Sequence, residues 1–154
     1  TATKDIAITS FETGNDNTIE VYNSAQLLDA LSKIKAGSTI ILTQGTYNLN
    51  SKITLSVSGT AQNKITIKGK EGQNRPKLDF SSMVENSANQ GIVLAADYWH
   101  IKGIDIYKAG DNGLQIKGNN NLIEFCTFSE CSDTGLQIDG GASNNIILNC
   151  LLGI

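Results

Sequence analysis

The sequence predicts an all-β fold, a right-handed parallel β-helix of about 22 residues per coil with an amphipathic helix capping its N-terminal end. Three observations predict it. First, Gly91, Gly113 and Gly135 recur every 22 residues, and Asp111-Asn112-Gly113-Leu114-Gln115-Ile116 returns as Asp133-Thr134-Gly135-Leu136-Gln137-Ile138, with Asn89-Gln90-Gly91-Ile92-Val93-Leu94 as a weaker first copy. Second, Ile101, Ile104 and Ile106 map onto Ile123, Cys126 and Phe128 at the same spacing. They map again onto Ile147, Cys150 and Leu152 at a spacing of 24, with the extra residues falling near Gly140-Gly141-Ala142-Ser143. Third, apolar residues alternate within each unit, the period of a strand, and no helical stretch separates the units, which excludes leucine-rich and βαβ arrays.

Taken in order, the segment from Thr1 to Asn23 alternates only in patches, Ile6 with Ile8 and Ile19 with Val21, and predicts an irregular start with one or two edge strands. The segment from Ser24 to Ala36 predicts the helix: Ser24 as N-cap, Leu27, Leu28, Leu31 and Ile34 on one face, and Gly37 just past the end. Its apolar stripe is expected to cover the open first coil, whose strand edges and core side chains need shielding. Short, turn-bounded strands follow at Thr39 to Leu42, Thr46 to Leu49, Ile53 to Leu55 and Ile65 to Gly69. The lone proline, Pro76, precedes a strand at Lys77 to Phe80, where it breaks no ladder. Ser81 to Gln90 is a longer excursion, and regular coils are expected from Gly91. The chain is expected to be a single β-helix domain over 1–154, with the cap and first strands in 1–60 and the coils in 61–154.

The register sets the stacking. Leu114 is expected under Leu136 and Ile116 under Ile138, facing inward, with Cys126 and Cys150 in the inner file that begins at Ile104. Asn121 and Asn145 share a corner where stacked amides can bond each other and the turn backbone. Gly113 and Gly135 are expected to supply positive φ at a corner. Cys126 and Cys150 then read as small buried hydrophobes, Cys131 lies at a corner, and the cysteine spacings match no zinc site.

The formal net charge of −3 and the absence of a basic stripe argue against a nucleic-acid partner. Arg75 is the one arginine, so bidentate clamping is not a general strategy here. No run is long enough to span a membrane, and neither a membrane span nor a positively charged leader is expected in these residues. A start at Thr1 fits a processed, secreted protein and equally an expressed piece.

Gly37 to Tyr47, Asn63-Lys64-Ile65-Thr66-Ile67-Lys68-Gly69, Trp99-His100-Ile101-Lys102-Gly103-Ile104 and Asp133-Thr134-Gly135-Leu136-Gln137-Ile138 together resemble the N-terminal half of a family 9 polysaccharide lyase. Members of that family are secreted pectate lyases built on a right-handed parallel β-helix. The resemblance implies an acidic polysaccharide, pectate, as partner, and β-elimination on polygalacturonate. The C5 proton of a uronate is acidic enough to remove only once the neighbouring carboxylate is neutralised, and Ca2+ supplies that neutralisation for a lysine or arginine base. In the family the calcium aspartates cluster around an Asp-Asp-Gly-Phe-Asp corner and strand. Here Asp133 matches the first aspartate, while Thr134 and Gln137 stand where the other two belong; Asp111, Asn112 and Gln115 stand there one coil earlier. The family's catalytic lysine is therefore expected in coils beyond residue 154, the chain being truncated before them.

Outward on the same sheet, Val93, Gln115 and Gln137 are expected in one file and Ala95, Lys117 and Asp139 in the next. Lys117 opposite Asp139 reads as an exposed ion pair; the alternatives are contact with a substrate carboxylate or, as the weak catalytic candidate, service as the base, for which nothing in the sequence supplies the burial required. Gln115, Lys117 and Gln137 are the substrate-binding candidates. Asp111, Asp133 and Asp139 are the candidate calcium ligands, with Asp111 and Asp133 as corner residues bonding their own backbone as the competing reading. His100 and Trp99 read as packing and loop residues, with a sugar-stacking platform as the other use of Trp99. Two functions remain open: a calcium-dependent pectate-lyase-like protein whose catalytic coils lie further on, or a non-catalytic β-helix fragment, carbohydrate-binding or structural module. The apolar strand edge at Asn149 to Ile154 is expected to favour self-association.

Overall fold

The structure is a computed structural model, and it describes residues 17–153. The strand expected around Ile6 and Ile8 lies outside the described residues. The chain opens with β1 (Thr18–Val21) and α1 (Ser24–Ser32). Then come β2 (Thr39–Leu42), β3 (Thr46–Asn48), β4 (Ile53–Leu55), β5 (Ile65–Gly69), β6 (Lys77–Asp79) and β7 (Ile92–Leu94). The remainder is β8 (Trp99–Lys102), β9 (Asp105–Tyr107), β10 (Leu114–Ile116), β11 (Leu122–Glu124), β12 (Thr127–Ser129), β13 (Leu136–Ile138), β14 (Ile146–Leu148) and β15 (Leu151–Leu152).

These strands form three parallel sheets. Sheet 1 runs β1-β2-β5-β8-β11-β14, sheet 2 runs β3-β6-β9-β12-β15, and sheet 3 runs β4-β7-β10-β13. From β2 onward successive strands fall in sheets 1, 2 and 3 in turn, each pairing with its equivalent one coil away, while β1 adds to the sheet 1 edge beside β2: the predicted solenoid. Leu114 pairs with Leu136 and Ile92, and Ile123 with Ile101 and Ile147, so the periodic registers read from the sequence are the ladder registers. Regular coils begin earlier than Gly91, because β2, β3 and β4 already occupy one position in each sheet.

The core is the column of inward side chains. Ile40, Leu78, Leu94, Trp99, Ile101, Leu114, Ile116, Ile123 and Phe128 are fully buried. A fully buried side chain of this size contributes about 1.5–3 kcal/mol, so burial repeated along the axis, and no single contact, holds the stack. Trp99 is one of them; its indole N–H donates to Val57 O at 2.8 Å, which makes it a packing residue and not an exposed sugar platform.

Two expectations about local structure are corrected. The helix is capped by Asn23 and not by Ser24: Asn23 Oδ1 accepts the Gln26 N–H at 2.9 Å, while Gln26 Oε1 accepts the Tyr22 N–H at 2.8 Å, so donors at the helix start are satisfied reciprocally one residue earlier. The helix ends at Ser32, with Leu27 and Ala30 buried and Leu28 exposed on the other side. It packs against β1 and β2, as an end cap should.

The second correction concerns the glycines. Gly113 and Gly135 do not carry positive φ. A Cβ on Gly113 would lie 2.6 Å from Gly135 O, and one on Gly91 would lie 2.7 Å from Gly113 O. What the 22-residue glycine conserves within the chain is the close approach of one coil's backbone to the next. The left-handed corners are filled mostly by larger residues: Tyr98, Asn120 and Asn144 before sheet 1, Lys108 and Glu130 after sheet 2, and Gly103, Phe125 and Asn149 between sheets 1 and 2.

Candidate functional site

Sheet 3 carries the candidate residues, because the tract repeated in β10 and β13 alternates: Leu114 and Ile116 point into the core, which leaves Gln115 on the outer face. Parallel pairing then sets Gln115 beside Val93 on one side and Gln137 on the other. The two glutamines do not stand alone. Gln115 Nε2 donates to Gln137 Oε1 at 3.4 Å and to the Asp139 carboxylate at 3.1 and 3.3 Å, and Lys117 Nζ lies 3.9 Å from Asp139 Oδ2. At the other end of the strands, Asn112 Nδ2 donates to Gln137 Oε1 at 2.8 Å and to Asp111 Oδ2 at 3.0 Å. Gln90 Nε2 also donates to Asp111 Oδ2, at 2.9 Å, and Lys52 Nζ donates to Gln90 Oε1 at 3.4 Å.

The result is a continuous polar seam crossing four coils, from Lys52 through Gln90, Asp111, Asn112, Gln137 and Gln115 to Asp139 and Lys117. Gln90 and Asn112 are buried, so their amides are fixed by the bonds they make and cannot swing freely. Sequence reasoning missed both. The signal was present, because Gln90, Asn112 and Thr134 each precede a periodic glycine, and the Thr134 hydroxyl does donate to Asn112 Oδ1.

The structure brings Gln115, Lys117, Gln137 and Asp139 together and keeps Asp111 and Asp133 at the opposite end of the strands. Asp111 bonds neighbouring side chains and not its own backbone, and Asp133 is exposed. The Lys117 side chain is 47% exposed and faces Asp139, an open, ion-paired setting with none of the burial a lysine base requires. His100 lies on sheet 1, with Nε2 2.8 Å from Glu124 Oε2, and takes no part in the seam.

A calcium ion takes six to eight oxygen ligands. Among the described residues no three acidic, histidine or cysteine side chains gather closely enough to hold a metal. The two aspartates best placed are also spent: Asp111 accepts two amide N–H groups, and Asp139 accepts an amide and faces an ammonium. The residues present therefore do not fit calcium.

Cys126 is a core residue, as expected; Cys150, expected beside it in the inner file, is only half-buried against the core, as is Cys131. Burial pushes the Cys126 thiol up to about 12, and burial also raises Cys131. Among the described residues no helix is long and apolar enough to cross a membrane.

Coils stacked in three parallel sheets, with a glycine-tight polar face on one of them, define the chain as a parallel β-helix of the kind found in polysaccharide lyases. The family described as "Pel9A-like, right handed beta helix region" matches residues 8–151. The chain belongs to that family. Pectate lyase L of Paenibacillus polymyxa (strain SC2) is 39% identical over 131 residues, covering 78% of this chain and 29% of that protein. Pectate lyase L of Thermoclostridium stercorarium is 36% identical over 141 residues, covering 83% of this chain and 11% of that protein. The crystal structure of pectate lyase Pel9A superposes with a TM-score of 0.71 at 28% identity, over 80% of this chain and 32% of that one. A rhamnogalacturonan lyase shares the fold alone, at a TM-score of 0.62 and 13% identity. The chain thus spans less than a third of the length of the curated pectate lyases it matches.

Proposed function

We propose that this chain is the N-terminal β-helix portion of a secreted, pectate-lyase-like protein, and that the outer face of sheet 3 is the wall along which an acidic polysaccharide such as polygalacturonate lies. The observation that carries this reading is the in-register seam of Gln115, Gln137, Lys117 and Asp139 on a sheet whose relatives bear the name pectate lyase. The elimination itself takes the C5 proton of a uronate, forms the C4–C5 double bond and expels the glycosidic oxygen from C4. The calcium and the base that this requires are assigned to coils outside residues 17–153, since the described residues supply neither.

The experiment is an elimination assay: ultraviolet absorbance of the unsaturated product from polygalacturonate, with and without calcium, run beside equilibrium binding of the same polymer. The expected result for this chain is binding without turnover. Clear turnover would overturn the placement of the catalytic groups, and absence of binding would overturn the role of sheet 3. A second reading, a non-catalytic carbohydrate-binding module, is favoured by the absence of an acidic cluster among the described residues. Self-association is part of the proposal too, because Ile138, Ile146, Leu148, Leu151 and Leu152 are exposed along β13, β14 and β15. Sedimentation of the chain as a monodisperse monomer would remove it.

A further inference from the structure

We infer that the corner between sheets 1 and 2 carries a second, non-catalytic pocket that binds the carboxylates of a uronate oligosaccharide; this rests on the reading of an acidic polysaccharide as the ligand. The pocket, about 240 Å³, is lined by Lys68, Lys70, Arg75 and Lys102 around Gly103 and Phe125. The chain as a whole carries −3, yet four of its twelve basic residues converge here, against one lining carboxylate, Glu71. Glu71 is 81% exposed and 3.6 Å from Lys68, a loose pairing in water. Lys70 is held by Glu20 at 2.6 Å, and Arg75 by the Thr127 hydroxyl at 2.9 Å and by Asp105 at 3.6 Å, so both are oriented. Lys102 has no carboxylate within 4.0 Å among the described residues; its Nζ stands 5.8 Å from the Phe125 ring centroid.

Phe125 is the observation that turns a basic patch into a sugar site. The corner demands a left-handed backbone, and the equivalent positions one coil before and one coil after meet it with Gly103 and Asn149, residues that adopt it readily. Phe125 adopts it at φ 52°, where a bulky aromatic is rarely found, and is 38% exposed. Core packing does not explain an exposed phenylalanine. The space beside it is open, because a Cβ on Gly103 would meet nothing within 4 Å. A sugar ring stacked on Phe125 would place its carboxylate among the cations, with Lys68 and Lys102 side by side on adjacent strands, about 4.8 Å apart along the axis. The polar seam lies on sheet 3, which this corner does not touch, so the two sites are separate.

Titration calorimetry tests this with trigalacturonate, its fully methyl-esterified form and inorganic phosphate as probes. Three variants are compared: Lys68→Gln with Lys102→Gln, Phe125→Asn, and Gln115→Ala with Gln137→Ala. Circular dichroism confirms folding, and asparagine at 125 copies what Asn149 already does. The pocket predicts at least a tenfold loss of trigalacturonate affinity at one site in each of the first two variants, retention of that site in the third, no binding of the ester there, and weakening as salt rises. Binding lost only in the Gln115 and Gln137 variant would overturn the pocket and leave the proposed function standing. Phosphate bound as tightly as trigalacturonate would overturn the uronate assignment. No uronate binding at either site would overturn both readings.

Discussion

Asn121 ties its corner to the coil before it with both ends of its amide: its Oδ1 accepts the Trp99 N–H at 2.8 Å while its Nδ2 donates to Ala96 O at 3.0 Å. Asn145 repeats the arrangement one coil on, accepting the Asn121 N–H at 3.0 Å and donating to Gly118 O at 2.9 Å. The stacked amides thus bond backbone in neighbouring coils and not each other. Asn121 is buried, so Asn121→Ala strands a buried N–H and a buried carbonyl and is expected to cost about 2–3 kcal/mol. Asn145 is only half buried, and Asn145→Ala should cost less. Urea unfolding midpoints at constant slope read both; equal costs would contradict the burial argument.

The periodic glycines make a sharper contrast. Gly113→Ala drives a methyl group against Gly135 O and Cys131 Sγ, backbone on one side and a packed thiol on the other, and should destabilise by about 3 kcal/mol or more. Gly103→Asn, at a corner with open space and φ +63°, should fall within about 1 kcal/mol of the parent. Thermal unfolding of the two variants decides between close approach and corner conformation as the reason for the 22-residue glycine.

Cys126 predicts an alkaline weakness. Its thiol is raised from its ordinary 9.0 to about 12, with desolvation as the leading cause, so below pH 9 folded and unfolded chains both hold the proton. Between about pH 9 and 12 the unfolded chain loses the proton that the folded chain keeps, and stability falls, by at most about 1.4 kcal/mol per pH unit. The stability gap between the parent and Cys126→Ala should therefore narrow as pH rises through that window. A gap independent of pH would show that the thiol is not shielded.

On sheet 3, Lys117→Gln removes a partly exposed ion pair and should change stability by under about 1 kcal/mol. The same change, or Gln137→Ala, is expected to weaken polygalacturonate binding several-fold. Unchanged binding in both would remove these side chains from the substrate wall.

Much of this architecture was legible because a fixed period states which residues share a file: Leu114 with Leu136, Ile123 with Ile147, Gln115 with Gln137. A period does not state what each file is for. It could not tell that Gly113 answers to a carbonyl above it, or that Phe125, Lys108 and Glu130 accept the left-handed corners. The helix cap slipped by one residue because Asn23 and Ser24 are both competent caps and only the Gln26 side chain chooses between them. The buried amides of Gln90 and Asn112 were hidden because polar residues at a turn read as solvated until the coils are stacked. The basic pocket was hidden for a related reason: Lys102 lies far along the chain from Lys68, Lys70 and Arg75 and meets them only when β5 pairs with β8.

Every strand within the three sheets pairs in parallel with its neighbour in the next coil, and α1 closes the side where β1 begins. A chain built this way can be laid down in the order the ribosome delivers it, each finished turn offering its free amides and carbonyls as the template for the next. Such a protein needs no distant segment to arrive before its first half takes shape, and an insertion at any corner lengthens a loop without disturbing the turns already wound.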